Sequence, residues 1–63
     1  MLNNNLYNLI AQLTEENRSL WRIRDQYQKD AEECSECKTF WLDMEKDKED
    51  HIKKLTELIK KHI

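Results

Sequence analysis

Glycine and proline are both missing from this chain of 63 residues. Glycine supplies the positive-φ positions of tight hairpins and proline punctuates loops, so their joint absence argues against a turn-rich β fold. No apolar run approaches the roughly 20 residues that span a bilayer. The opening Met1-Leu2-Asn3-Asn4-Asn5 also lacks the basic and apolar regions of a signal peptide. A membrane is therefore not expected as a partner, and the cytoplasm is the expected compartment. Positive charge is not in surplus: 11 Lys and Arg stand against 13 Asp and Glu, a net charge of −2 with pI near 5.6. That is the wrong sign for neutralising phosphates, and nucleic acid is not expected either. Without glycine no phosphate-cradling loop can be built, and no Ser/His/Asp set has a fitting local context. The chain reads as a non-enzyme.

What is present is helical. Charged and hydrophobic residues each make up 38% of the chain, a balance that suits long surface helices. Leu2, Leu6, Leu9, Leu13, Leu20, Ile23, Tyr27 and Ala31 recur at three- and four-residue spacing and define a first amphipathic helix over about 3–30. Cys37, Trp41, Met44, Ile52, Leu55, Leu58 and Ile59 define a second over about 35–62, with Phe40 and His51 on its edge. Between them Asp30, Glu32, Glu33 and Glu36 crowd into seven residues, where like charges oppose a continuous helix. A bend at about 31–34 is expected there. Cys34 or Ser35 would cap the next helix, and Glu36 suits its positive end.

The heptad register runs unbroken through that bend, so one long parallel coiled coil is the competing architecture. Electrostatics favours the hairpin. A parallel in-register dimer sets Glu16 on Glu16, Asp30 on Asp30 and Lys48 on Lys48 in its seam. Folding about residue 32 instead brings Glu16 level with Lys48, Leu9 with Leu55, and Leu2 with His62 and Ile63. The fold class is thus all-α, a single domain over residues 1–63 formed by an antiparallel two-helix hairpin.

A chain this short is expected to draw only about 3–5 kcal/mol from its own core. Its apolar arcs are also wider than one neighbouring helix covers, since Tyr7, Ile10, Thr14 and Trp21 form a second strip beside the main stripe. A homodimer of hairpins closing into a four-helix bundle would bury them. The residues expected at that interface are Leu6, Ile10, Leu13 and Trp21 from the first helix. Phe40, Trp41, Leu55, Leu58 and Ile59 join them from the second. The acidic bend and the basic end at Lys53, Lys54, Lys60 and Lys61 suggest antiparallel docking. The leading function is a helical oligomerisation or protein-interaction module.

Cys34-Ser35-Glu36-Cys37 is the one short pattern with chemistry attached. A thiol at a helix N-terminus gains thiolate character, and a second thiol three residues on can resolve a mixed disulfide or share a metal. The surrounding acids should raise a thiol's pKa, which opposes that role. No cofactor is expected on the leading reading. The alternative is a metal-binding or redox protein holding zinc or iron at Cys34 and Cys37. His51 and His62 lie some 20 Å or more along the helix from Cys37, so only His62 of another chain could complete the set. His51, at the edge of the apolar stripe, can change charge between about pH 5 and 8. Di-iron bundles carry Glu-x-x-His pairs, and here Lys48 and Ile59 stand three residues before the two histidines.

The run Ser19-Leu20-Trp21-Arg22-Ile23, with Tyr27, Asp30-Ala31, Cys34, Glu36-Cys37, Phe40-Trp41 and Asp47-Lys48-Glu49-x-His51-Ile52, resembles small prokaryotic helical proteins of uncharacterised function. Those proteins carry a central C-x-E-C followed by F-W. The resemblance covers most of the chain and implies a small helical protein with mid-chain cysteines. It carries over no catalytic residue.

Overall fold

The computed structural model describes residues 3–63; Leu2, assigned above to the seam, lies outside them. Helix α1 spans Asn4–Arg22, passes through a π-helical segment at Ile23–Tyr27 and continues as α2, Gln28–Asp30. After a turn over 31–34, α3 runs back antiparallel as one helix from Ser35 to His62. The result is an antiparallel helical hairpin with extents of 50 × 16 × 12 Å. No strand occurs among the described residues. No described helix is long and apolar enough to cross a membrane.

Each helix end has a local chemical cause. Asn3, extended at φ −83° and ψ 102°, accepts the Leu6 N–H on its side-chain oxygen at 3.2 Å and opens α1. Cys34, at φ −125° and ψ 101°, opens α3 in the same manner: its Sγ accepts the Cys37 N–H at 3.3 Å. Glu36 lies in the first turn of α3 and Lys60, Lys61 and His62 in its last, both matching the helix dipole.

The reversal is made without a left-handed residue. Helices often stop at a glycine in the left-handed region, and among the described residues no φ is positive. Ala31 leaves the helix at φ −96° and ψ 12° instead. The carbonyls of Lys29 and Ala31 then accept the N–H groups of Glu32 at 3.3 Å and Cys34 at 3.0 Å. Short-range bonds thus satisfy backbone groups that a glycine-stopped helix satisfies otherwise.

Leu20, Ile23, Ala31 and Ile59 are the buried apolar residues among those described, and Ile23 is only 1% exposed. Leu6, Leu9, Leu13, Tyr27, Trp41, Met44, Ile52, Leu55 and Leu58 are half-buried along the same seam. The π segment adjusts the register near the bend. Its Gln28 N–H bonds to the Ile23 carbonyl five residues back, a wider turn that rotates the chain less per residue. Downstream, Ala31 is buried while Asp30 stays exposed, and the Gln28 amide reaches Glu45 of α3.

Glu16 sits inside the seam, 5% exposed, and is held from across the hairpin. Lys48 Nζ donates to its Oε2 at 2.6 Å, and His51 Nδ1 meets its Oε1 at 2.6 Å. The fold-back pairing of Glu16 with Lys48 is therefore present, with His51 one turn further along α3 as a second partner. Removing one member of a buried pair strands the other, whereas replacing both with apolar groups of similar volume is often neutral. Lys48→Met is accordingly expected to cost about 1–3 kcal/mol, below the usual 3–5 because His51 remains bonded to Glu16. The double variant Glu16→Leu/Lys48→Met should return to within about 1 kcal/mol of the parent. Urea unfolding at fixed protein concentration checks both values.

Candidate functional site

Two surfaces stand out once the seam is accounted for: an apolar strip on α1 and the thiol pair at the bend. The strip runs Tyr7, Ile10, Thr14, Asn17, Trp21, which is the three- and four-residue spacing of one helix face. Tyr7 is 60% exposed, Ile10 47% and Trp21 60%. Leu13, Thr14, Asn17, Arg18, Trp21 and Arg22 line an open groove of about 640 Å³ along it. Arg24, three residues beyond Trp21, extends the face toward the bend. It crosses to α3, pairing with Glu45 at 3.2 Å and Glu49 at 3.4 Å. The Gln28 amide and the Arg24 guanidinium together hold the Glu45 carboxyl below the ordinary glutamate range.

The residues expected at an interface fall into two groups. Ile10, Trp21 and Phe40 are exposed. Leu6, Leu13, Trp41, Leu55 and Leu58 are half-buried in the seam, and Ile59 is buried within the hairpin. Phe40 packs edge-on against Trp41 at 5.2 Å, and Trp41 tilts over Tyr27 at 4.8 Å. This aromatic cluster braces the two arms just before the bend.

The thiols meet at the start of α3. Cys34 is half-buried, Cys37 is exposed, and both are free. Hydrogen bonds from the Cys37 thiol, then from the Cys37 N–H and the Glu36 N–H, draw the Cys34 pKa below the ordinary thiol value. Donating its proton to Cys34 pushes the Cys37 thiol up. The acidic surroundings therefore do not set the direction at Cys34, contrary to the sequence expectation. Backbone and side-chain donors in direct contact with the sulfur outweigh carboxylates that point into water.

His62 lies at the far end of α3, distant from the cysteines. Among the described residues no group of three or more His, Cys, Asp or Glu side chains is arranged to hold a metal ion. His51 is instead a partner of Glu16. In the sequence His51 falls on the edge of the apolar stripe, and periodicity alone does not assign it that role. Its position three residues after Lys48 was the available signal, because both then share the face that meets Glu16. The contacts of Arg24 and Gln28 with Glu45 have no signature in the sequence, since heptad periodicity does not announce the π segment.

Comparisons with family models, curated proteins and solved structures returned no match to this chain.

The Glu16 site gives a pH dependence of known sign. Burial by itself pushes the carboxyl up, yet the Lys48 and His51 hydrogen bonds and charges hold it below the ordinary value. A depressed folded-state pKa contributes stability that is fully present above the unfolded value, about 4.3. That contribution is lost as pH falls through the lower folded value. The stability gap between the parent and Glu16→Gln should thus be open at pH 7 and close below about pH 4, read by thermal or urea unfolding across pH. At the bend, Cys34→Ala removes the α3 cap and should lower the unfolding midpoint. Cys34→Ser retains an acceptor and should be neutral or mildly stabilising in the same measurement.

Proposed function

We propose that the chain is a non-enzymatic, cytoplasmic helical interaction module whose first partner is a second copy of itself, two hairpins closing into a four-helix bundle. The exposure of Tyr7, Ile10 and Trp21 along one face of α1 carries this reading. A compact 7.8 kDa monomer would expose about 4,400 Å², whereas this hairpin exposes 5177 Å². The surplus is comparable with the roughly 800 Å² that each partner buries in an interface of standard size.

Charge selects the orientation. Asp30, Glu32, Glu33 and Glu36 cluster exposed at the bend, while Lys53, Lys54, Lys60 and Lys61 are exposed toward the opposite end. Parallel docking would set like ends together, and antiparallel docking sets acid beside base. A two-fold axis through Thr14 satisfies both surfaces at once. It brings Tyr7 of one copy level with Trp21 of the other, and aligns each bend with the second copy's basic end.

Sedimentation equilibrium and native mass spectrometry should report a dimer at micromolar concentration. Ile10→Glu and Trp21→Glu should each weaken it by tenfold or more in Kd while leaving helical circular dichroism intact, because both side chains are exposed within the hairpin. A parent that stays monomeric at about 100 µM, or variants that dimerise as the parent does, would overturn the reading.

A further inference from the structure

The paired sulfurs lie at the start of α3, outside the apolar strip of α1. We propose that Cys34 and Cys37 form a thiol–disulfide exchange site in which Cys34 attacks and Cys37 resolves, acting on small or peptide disulfides that carry positive charge. The assignment of roles follows from geometry. Cys34 occupies the N-cap of α3, where the unsatisfied N–H groups of the first turn converge on a negative acceptor. Its sulfur receives the Cys37 N–H at 3.3 Å. Cys37 stands one turn further along α3 and lines the same groove, so the second sulfur is placed to resolve a mixed disulfide on the first.

The setting supplies room and selectivity. A groove of about 260 Å³ beside the pair is lined by Tyr27, Asp30, Ala31 and Trp41. The aromatic walls accept the apolar stem of a disulfide, and Asp30 stands at the same groove. Glu32, Glu33 and Glu36 are exposed around the bend. In a hairpin not docked on a second copy, whose lysines would face them, their field attracts cationic disulfides and repels anionic ones, an effect that salt screens over about 10 Å at 0.1 M.

The exchange balances without a further reagent. Cys34 thiolate attacks one sulfur of the external disulfide R–S–S–R. A bond forms from Cys34 Sγ to that sulfur, the S–S bond breaks, and the other half leaves as a thiolate that takes a proton from water. Cys37 then gives its proton to water and attacks Cys34 Sγ. An internal Cys34–Cys37 disulfide forms and the second R–S⁻ departs and is protonated. Two electrons pass from the pair of cysteines to the disulfide, yielding two R–SH.

The test treats the reduced, full chain, diluted until native mass spectrometry reports the monomer, with cystamine, a dicationic disulfide, and with oxidised glutathione, an anionic one, following products by mass spectrometry. In Cys37→Ser, cystamine should leave a stable mixed disulfide on Cys34. In Cys34→Ser, Cys37 should react more slowly, by on the order of tenfold. The parent should pass through the mixed disulfide to an internal disulfide, losing two hydrogens. Cystamine should outpace oxidised glutathione at 10 mM salt, with the gap narrowing at 1 M. Equal or faster reaction at Cys37, failure of the parent to form the internal disulfide, or no preference for cystamine at low salt would each overturn the proposal. Helical circular dichroism of both serine variants confirms that altered reactivity reflects the sulfur removed, not a lost fold.

Discussion

A carboxylate in the middle of a hydrophobic seam demands an opposite charge at the same level, and this constraint organises the hairpin. Glu16 is nearly sealed from solvent, and alone it would carry a desolvation cost of several kcal/mol. Lys48 and His51 offset that cost only if α3 runs antiparallel to α1 and in one register, since each bonds a different oxygen at 2.6 Å. Sliding α3 by one turn would part Lys48 from Glu16 and leave two charges unmatched. An apolar seam of leucines and isoleucines tolerates such slips far better. The triad therefore contributes specificity of register more than raw stability, which the apolar residues on either side supply.

The second constraint is the lack of glycine at a place where the chain must reverse. Ala31 ends the first arm without entering the left-handed region, and Cys34 takes the capping role usually held by Ser, Thr, Asp or Asn. A structural need thus puts a sulfur where backbone donors converge, and the same placement gives that sulfur its chemical character. The π segment belongs to the same solution. By widening one turn it keeps Asp30 in water, buries Ala31 and brings Gln28 to Glu45, tying the first arm to α3 close to the bend.

A hairpin of this size cannot enclose its own apolar surface. Leu20 and Ile23 are buried at the end of α1 and the start of the π segment, but most of the seam is only half-buried, and Trp21 and Tyr7 stand out on the flank. The polar residues divide by end, acid at the bend and lysine at the far terminus of α3. The exposed apolar face and the separation of charge by end are the two features on which the proposed antiparallel self-association rests.

Much of this architecture is legible in the sequence. The spacing of Leu6, Leu9, Leu13, Leu20 and Ile23 determines a helix, the acid cluster at 30–36 marks where it breaks, and Glu16 with Lys48 selects the antiparallel return. These are local periodicities and one charge pairing, which depend only on residue spacing. Tertiary structure alone decided that His51 joins Glu16 and that Arg24 and Gln28 reach Glu45. It also decided which interface candidates are left outside: Ile59 is consumed by the hairpin, whereas Ile10 and Trp21 are not. Helical periodicity is blind to these outcomes because it does not say how the two arms rotate against each other, a rotation that the π segment at Ile23–Tyr27 shifts near the bend. That shift follows from packing between the arms, not from the order of residues along either of them.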